Sequence, residues 1–325
     1  MDVSMTRRDF LGASVAAAGL LATGQLQAAP FKTRLYKAMT LGEPTLDLLK
    51  GLKDAGFDGM ETNAWKATPD EAAKARERAE ALGMKLHSVL FGWANFNQES
   101  QVAKDLENVR QALRAAKAYG ASTLLLVPCT IRVRRSASSA IAVPQPSQLD
   151  IDFDEKTGHI KRVVAGDNSK YEKYIEAHNN AVDTSRTAVR KLLPAAEKTG
   201  VIIALENVGN GLWLKPAVFA NFIRSFDSPW VRCYFDIGNH VRYAMPEEWI
   251  RTLGKAVVKF HVKDFKLAPG GRGGKMVHPR DGSINWPLVR QEIDNLGYND
   301  FLTIEDNGLP LKEFSHRLDL IIAGK

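Results

Sequence analysis

The chain has 325 residues, 45% of them hydrophobic and 25% charged, which is enough for one large domain or two ordinary ones. Its formal net charge of +7 is spread thinly, and no stripe of Lys and Arg with interleaved aromatic residues is present, which argues against a nucleic-acid partner. Cys129 and Cys233 lie in apolar segments, so we expect free buried thiols rather than a disulfide framework.

The first 29 residues have the pattern of an export signal and are expected to lie outside the folded domain. Arg7 and Arg8 precede an apolar stretch at 11–23 and small residues ending near Ala28. A charged head, a short apolar middle and a small-residue end are typical of such a signal, and the arginine pair resembles the twin-arginine type. We therefore expect export by the twin-arginine translocase and a periplasmic mature protein. An uncleaved membrane anchor is the alternative, although the stretch is short for a bilayer span.

Strand and helix patterns alternate after the signal. Strands are predicted at 34–39, 57–61, 85–90, 122–127, 201–205, 231–235, 256–264 and 301–304. Helices are predicted at 44–55, 69–82, 98–119, 171–198, 216–226, 246–253, 286–296 and 310–322. Eight such units predict an α/β fold, a (β/α)8 TIM barrel over residues 30–325. An open doubly wound sheet would need a glycine-rich phosphate turn after the first strand, which residues 39–43 do not provide.

The alternation breaks at about residues 128–170. Alternating residues at 149–153 and 159–164, separated by a glycine-containing turn at 155–158, predict a β-hairpin inserted after strand four. Because this insertion follows a strand end, we expect it to overhang the barrel mouth as a lid or specificity element. A surface insertion or an oligomer contact is the alternative, so a homo-oligomer stays open.

Four successive predicted strands end in side chains that can bind a metal ion. In chain order these side chains are Glu206, Asp236, His261 and Glu305. Active sites of such barrels lie at the C-terminal strand ends, and neighbouring strands lie about 4.8 Å apart, so the four can surround one cation. Three carboxylates and one imidazole favour a single divalent ion, with Mn²⁺ as first choice and Mg²⁺, Co²⁺ or Zn²⁺ as alternatives.

Short segments around these ligands resemble the sugar isomerase/epimerase superfamily, whose members have a xylose-isomerase-like barrel. The matching segments are 56–61, 204–207, 235–240, 261–264, 281–286 and 303–305, and the resemblance covers about residues 34–322. It implies a small-molecule carbohydrate substrate. It also implies that Glu206 and Glu305 bind the metal and act as the acid and base on opposite faces of the substrate.

Six further residues are candidates for binding the substrate. They are His87, Lys263, Glu61, Asn207, His240 and Trp213. His87 stands at the predicted end of strand three, where a core histidine is the alternative. Lys263 lies two residues beyond His261 on the same side of an extended chain, where a structural ion pair is the alternative. The glycine-rich segment 270–275 is a candidate phosphate loop or, in better agreement with export, a flexible surface loop.

The predicted function is therefore a metal-dependent isomerase or epimerase of a free or keto-sugar. Removing a proton next to a carbonyl leaves an enediolate, whose negative charge a divalent cation stabilises. A lyase, dehydratase or hydratase of a keto-sugar or inosose on the same metal is the main alternative. A multi-zinc nuclease with the same barrel would need more His and Asp ligands near Glu61 and His87, and a non-catalytic sugar-binding protein would need no acid–base pair.

Overall fold

The computed structural model describes residues 31–131, 141–271 and 273–325. The predicted export signal, residues 1–29, lies outside the described residues. Thr33–Lys325 form one compact unit. Within the described ranges, no helix combines the length and the apolar character needed to cross a bilayer.

The described residues form twelve strands. Eight of them are parallel and close into a barrel, which confirms the predicted fold. The strands, in chain order, are β1 (Tyr36–Leu41), β2 (Gly59–Thr62), β3 (Lys85–Trp93), β4 (Thr123–Val127), β5 (Asp152–Phe153), β6 (Ile160–Arg162), β7 (Ile202–Glu206), β8 (Val231–Asp236), β9 (Val257–Val262), β10 (Asp264–Leu267), β11 (Gly274–Val277) and β12 (Phe301–Ile304). The order around the barrel is β1-β12-β9-β8-β7-β4-β3-β2, and β5-β6 and β10-β11 form two separate hairpins. Closure pairs both edges of every barrel strand, so the barrel has no free edge.

Helices follow the barrel strands along the chain. They are α1 (Leu46–Asp54), α2 (Pro69–Ala81), α3 (Glu99–Tyr119), α4 (Glu172–Arg190), α5 (Leu193–Thr199), α6 (Pro216–Arg224), α7 (Pro246–Leu253), α8 (Trp286–Leu296) and α9 (Leu311–Ile322). Local sequence sets their ends. Thr68 and Glu71 form a capping box that begins α2, and Gly120 ends α3 in the left-handed conformation.

The helix predicted at 171–198 is two helices, so that prediction is wrong in its continuity. Pro194 is the second residue of α5 and has no N–H to donate to the preceding turn. Its ring also clashes with the carbonyl of a preceding helical residue, so a continuous helix would be strained there. The chain therefore ends α4 at Arg190 and begins α5 at Leu193.

The inserted hairpin is present, but it docks on outer helices rather than over the strand ends. Buried Ile160 exchanges two hydrogen bonds with the side chain of Asn179 in α4. Carbonyls of the turn at 155–158 accept hydrogen bonds from Arg186 in α4 and Asn221 in α6, both at 2.7 Å. Arg186 and Asn221 lie in the second halves of their helices, toward the N-terminal ends of the strands. The expectation that this hairpin is a lid is therefore wrong.

The β10–β11 hairpin follows β9 directly and was not predicted. Gly274 begins β11 and belongs to the glycine-rich segment that was expected to be a phosphate loop or a flexible surface loop. Gly274 has φ +148°, and a Cβ there would collide with the carbonyl oxygen of Lys266 and the ring of Phe265. Glycine at this position therefore lets the two strands pair closely at the tip.

An ion pair between a buried lysine and a partly exposed aspartate lies at the N-terminal end of the barrel. Lys259 in β9 is almost fully buried, and its Nζ lies 2.7 Å from Oδ2 of Asp300, just before β12. Burial lowers the pKa of Lys259, although the carboxylate of Asp300 opposes this shift. The ammonium thus depends on one carboxylate for its charge partner.

We expect Asp300→Ala to lower the free energy of unfolding by about 3 kcal/mol, because it leaves the ammonium of Lys259 buried without its partner. Lys259→Met removes the charge and keeps an apolar stem, so it should cost less. Urea unfolding followed by circular dichroism measures both variants. A larger loss for Lys259→Met than for Asp300→Ala would contradict this account.

Candidate metal centre

Glu206, Asp236, His261 and Glu305 converge at one end of the barrel. One ligand atom from each residue lies within 4.8 Å of the ligand atoms of the other three. Glu206 ends β7, Asp236 ends β8, His261 is the next-to-last residue of β9, and Glu305 follows β12. The predicted ligands are therefore brought together at the C-terminal ends of four neighbouring strands.

Strand register explains this convergence. Asp236 is the partner of His261 between β8 and β9, and Thr303 is the partner of His261 between β9 and β12. Paired residues in neighbouring strands point to the same face of a sheet, and here that face is the barrel interior. Glu206 and Glu305 then flank this pair from the strands on either side.

His261 is oriented by a second carboxylate that lies deeper in the barrel. Its Nε2 lies 2.7 Å from Oε1 of fully buried Glu61, which also accepts a hydrogen bond from Thr40. Its Nδ1 faces the carboxylates of Glu305 at 2.8 Å and Glu206 at 3.4 Å. Glu61 therefore directs Nδ1 toward the other ligands, as partners of metal-binding histidines commonly do.

Asp236 is held so that one carboxylate oxygen is free to bind an ion. Its Oδ1 accepts the backbone N–H groups of Gly238 and Asn239 at 2.8 and 2.7 Å. Its Oδ2 is buried and accepts no hydrogen bond, although the Nζ of Lys263 lies 3.1 Å away. The amide of Asn207 bonds both the N–H and the carbonyl of Asp236 and fixes the ends of β7 and β8 together.

The electrostatic environment shifts the pKa values of the candidate ligands in different directions. Burial raises the pKa of Glu206 to about 7. Burial would also raise the pKa of Glu305, but His261 and Lys263 outweigh it and hold that pKa at about 2. Burial would lower the pKa of His261, yet the charges of Glu61 and Glu305 outweigh it and hold that pKa well above its usual value.

The residues present fit a divalent cation. Four carboxylates, those of Glu61, Glu206, Asp236 and Glu305, face one imidazole and the ammonium of Lys263. Buried charges need a counter-charge or a metal, and the carboxylates outnumber the cations here. Asp236 Oδ2 is buried without a hydrogen bond, and Glu305 Oε2 lies in the same cluster, 2.8 Å from Nδ1 of His261. An oxygen-rich set with one imidazole suits Mn²⁺, Mg²⁺ or Co²⁺.

Lys263 lies at the edge of this cluster. Its Nζ lies 2.6 Å from Glu305 Oε2 as well as 3.1 Å from Asp236 Oδ2. The structural ion pair considered as the alternative for Lys263 is therefore the arrangement observed. Burial would lower the pKa of Lys263, but Asp236 and Glu305 raise it, so the side chain stays cationic.

His87 does not stand at the end of its strand, so the prediction of its position is wrong. β3 continues to Trp93, six residues further on. His87 is buried, its ring stacks on Phe301 at a centroid distance of 4.3 Å, and its Nε2 lies 3.1 Å from Thr303 Oγ1. This is the arrangement of a core histidine, the alternative considered for His87.

Glu61, Asn207, His240 and Trp213 are also buried, and their role in substrate binding stays a prediction. Glu61 and Asn207 act on the ligands, as described above. His240 donates from Nε2 to the carbonyl of Val208, and burial lowers its pKa to about 3.

Trp213 is fully buried and packs on the rings of Phe219 and Phe222 at centroid distances of 5.0 and 4.6 Å. His240 and Trp213 therefore hold the segment after β7 against neighbouring structure.

Trp93 is an exposed residue at the mouth that the sequence analysis missed. It ends β3, is 50% exposed, and is the strand partner of Val127, which belongs to the apolar cluster inside the barrel. Its side chain is therefore on the inner side of the rim. β3 and β9 are four strands apart in either direction, so Trp93 lies across the mouth from His261. Extending strand three through Gly92 would have found it.

Comparison with known proteins places the chain in a family. Residues 49–321 match the family described as the xylose isomerase-like TIM barrel. A search of curated proteins by sequence finds no match.

Similar solved structures share the fold. A xylose isomerase domain protein from Planctomyces limnophilus has a TM-score of 0.64 and 16% identity, covering 90% of this chain and 97% of its own. D-psicose 3-epimerase has a TM-score of 0.64 and 12% identity, covering 90% of this chain and 100% of its own. 3-Keto-D-glucoside 4-epimerase from E. coli has a TM-score of 0.62 and 12% identity, covering 89% of this chain and 99% of its own. By its match over residues 49–321, the chain belongs to the xylose isomerase-like TIM barrel family.

Proposed function

We propose that this protein is a divalent-metal-dependent isomerase or epimerase of a free sugar or keto-sugar. The observation that supports the proposal is the convergence of Glu206, Asp236, His261 and Glu305 within 4.8 Å at the barrel mouth. Solved structures of the same fold include D-psicose 3-epimerase, L-ribulose 3-epimerase and 3-keto-D-glucoside 4-epimerase. The fold is therefore one on which sugar epimerases are built.

The cation would be held by these four side chains, with Nδ1 of His261 and Oδ2 of Asp236 as two of the ligand atoms. When bound, it would supply positive charge that stabilises a substrate carbonyl oxygen as negative charge builds on it. Glu61 keeps the His261 ring oriented, and Asn207 keeps Asp236 in place. The protein thus contributes a rigid set of ligands before the substrate arrives.

Glu206 and Glu305 are the proposed acid–base pair. Their strands, β7 and β12, are separated by β8 and β9, so their carboxylates approach the centre from two sides. One carboxylate accepts the proton from the carbon next to the carbonyl, and the C–H electrons form the enediolate double bond. The other carboxylate returns a proton to the opposite face, which inverts that carbon. Loss of a neighbouring hydroxyl instead of proton return would give the lyase alternative.

A cavity beside the centre provides space for a sugar. It has a volume of about 580 Å³, and its walls include Asn239, Lys263 and Glu305. The Glu305 side chain is 31% exposed and the Glu206 side chain only 6%. A substrate entering from this side would meet Glu305 first and the cation next, with the indole of Trp93 across the mouth.

Export is part of the proposal. The pattern of the first 29 residues, with Arg7 and Arg8 before the apolar stretch, supports a twin-arginine signal and a periplasmic location. The twin-arginine translocase would then be a transient partner. A folded chain exported by this route would be loaded with its metal beforehand.

Metal removal is the first test. Chelation should abolish turnover and lower the melting temperature, and Mn²⁺ should restore both, because an ion that binds only the folded state stabilises it.

Asp236→Asn should lower the metal bound per chain, measured by mass spectrometry of the purified protein. Asp47→Asn, on exposed α1, is the matched control. Equal metal content in Asp236→Asn and wild type would refute the proposed ligand set.

The acid–base pair is tested by proton exchange. Glu206→Gln and Glu305→Gln should each slow solvent exchange at the substrate carbon at least about 100-fold, because each removes a group that moves the proton. NMR of keto-sugars in deuterated water measures exchange, and metal analysis checks that the ion is retained. Glu197→Gln, exposed in α5, should behave as wild type. Exchange without loss of water supports an isomerase or epimerase, loss of water supports the lyase, and unchanged exchange in both variants excludes the pair.

Trp93 is tested by its effect on substrate affinity. Trp93→Ala should raise KM about three- to tenfold with little change in kcat, because the indole offers an apolar face to the sugar and takes no part in proton transfer. Trp93→Phe keeps an aromatic ring and should have a smaller effect. A fall in kcat with KM unchanged would place Trp93 outside the substrate wall.

A further inference from the structure

The β10–β11 hairpin forms one wall of the cavity beside the candidate metal centre. Lys266 of β10 and Lys275 of β11 line this cavity together with Glu305. The cavity volume of about 580 Å³ exceeds that of a single sugar. Glu305 and the two lysines therefore border one and the same cavity.

Each carboxylate that lines this cavity has a side-chain nitrogen of another residue close to it. Glu305 lies 2.6 Å from Lys263 Nζ and 2.8 Å from His261 Nδ1. Asp306 Oδ2 lies 2.7 Å from Nδ1 of His278, and Asp281 Oδ1 lies 2.8 Å from Nη1 of Arg317.

Lys266 and Lys275 differ from these groups. Within the described ranges, neither Nζ lies within 4.0 Å of a carboxylate, and both side chains are exposed. The two lysines are direct cross-strand partners in the hairpin. Like charges placed directly opposite each other destabilise a strand pair. Within the described ranges, the two ammonium groups of this wall therefore lack a carboxylate partner, and their mutual repulsion destabilises the hairpin.

A bound anion would offset the repulsion between Lys266 and Lys275. It would accept hydrogen bonds from both ammonium groups and screen their repulsion. A neutral sugar would leave the two charges unbalanced.

We propose that Lys266 and Lys275 bind an anionic group, a carboxylate or a phosphate, on a sugar whose carbonyl end lies at Glu305. The proposal rests on the proposed function and assigns its substrate class, an acidic sugar. The carbonyl end would meet the acid–base pair, and the anionic group at the other end would set orientation and specificity.

Three ketoses that differ only at C6 test the proposal: D-fructose, D-fructuronate and D-fructose 6-phosphate. Calorimetry with the Mn²⁺-loaded protein measures binding independently of turnover. We expect at least one of the two charged sugars to bind about tenfold or more tightly than D-fructose, and the preference to weaken as salt rises. Whichever charged sugar shows it identifies the anionic group as carboxylate or phosphate.

Matched variants test whether Lys266 and Lys275 cause the preference for charged sugars. The double variant Lys266→Gln/Lys275→Gln should lose the preference and leave D-fructose binding unchanged. The control Lys104→Gln/Lys173→Gln removes two exposed lysines from α3 and α4 and the same net charge, so it should keep the preference. Equal melting temperatures verify folding.

The outcomes separate the two proposals. Charged sugars that bind no better than D-fructose, or a preference that survives in Lys266→Gln/Lys275→Gln, would overturn the inference. Proton exchange on D-fructose without a charge preference would leave the proposed function standing alone. A charge preference that the double variant abolishes, with no exchange on any sugar, would support the anion site and count against the isomerase.

Discussion

The concentration of buried carboxylates around His261 is the constraint on which the rest of this end of the barrel depends. Glu61, Glu206 and Glu305 approach the imidazole from different strands, and burial penalises each charge. Such an arrangement is stable only where cations and fixed hydrogen-bond donors surround it. Lys263 and the two backbone N–H groups bonded to Asp236 supply part of that environment. A divalent ion would supply the remainder.

The loops beyond the ligands are shaped to hold this arrangement. A Cβ at Gly238 would lie 2.7 Å from the Cβ of Lys263, so glycine allows the chain after β8 to pass close to β9. Asp264 accepts hydrogen bonds from Arg280 N, at 2.9 Å, and Trp286 Nε1, at 3.0 Å. These contacts hold the segment that leads into α8 and support the hairpin that frames the cavity. Direct contacts thus connect the strands that carry the candidate ligands to the hairpin that lines the cavity.

Features that depend on local pattern could be predicted from the sequence. The apolar runs followed by Glu206, Asp236 and Glu305 indicate buried strands with polar ends, because strand formation and burial have short periodic signatures. Eight strand–helix units then leave few ways to pair every strand, and in a closed barrel the strand ends share one face. The predicted ligand set followed from that geometry, and the resemblance to a family added the predicted chemistry. Interruption of the helix by Pro194 was equally visible in the sequence and was overlooked.

Only the tertiary structure decided which polar side chains contact each other and which are buried. Glu61 and His261 are 200 residues apart, and no local pattern shows that one orients the other. His87 and Trp213 look like site residues in sequence, yet packing against Phe301 and Phe222 encloses them. The chain itself determined which strands exist and what chemistry stands at their ends. Which polar side chains face the cavity depended on contacts between distant strands, because burial is a property of the assembled core and not of any one segment.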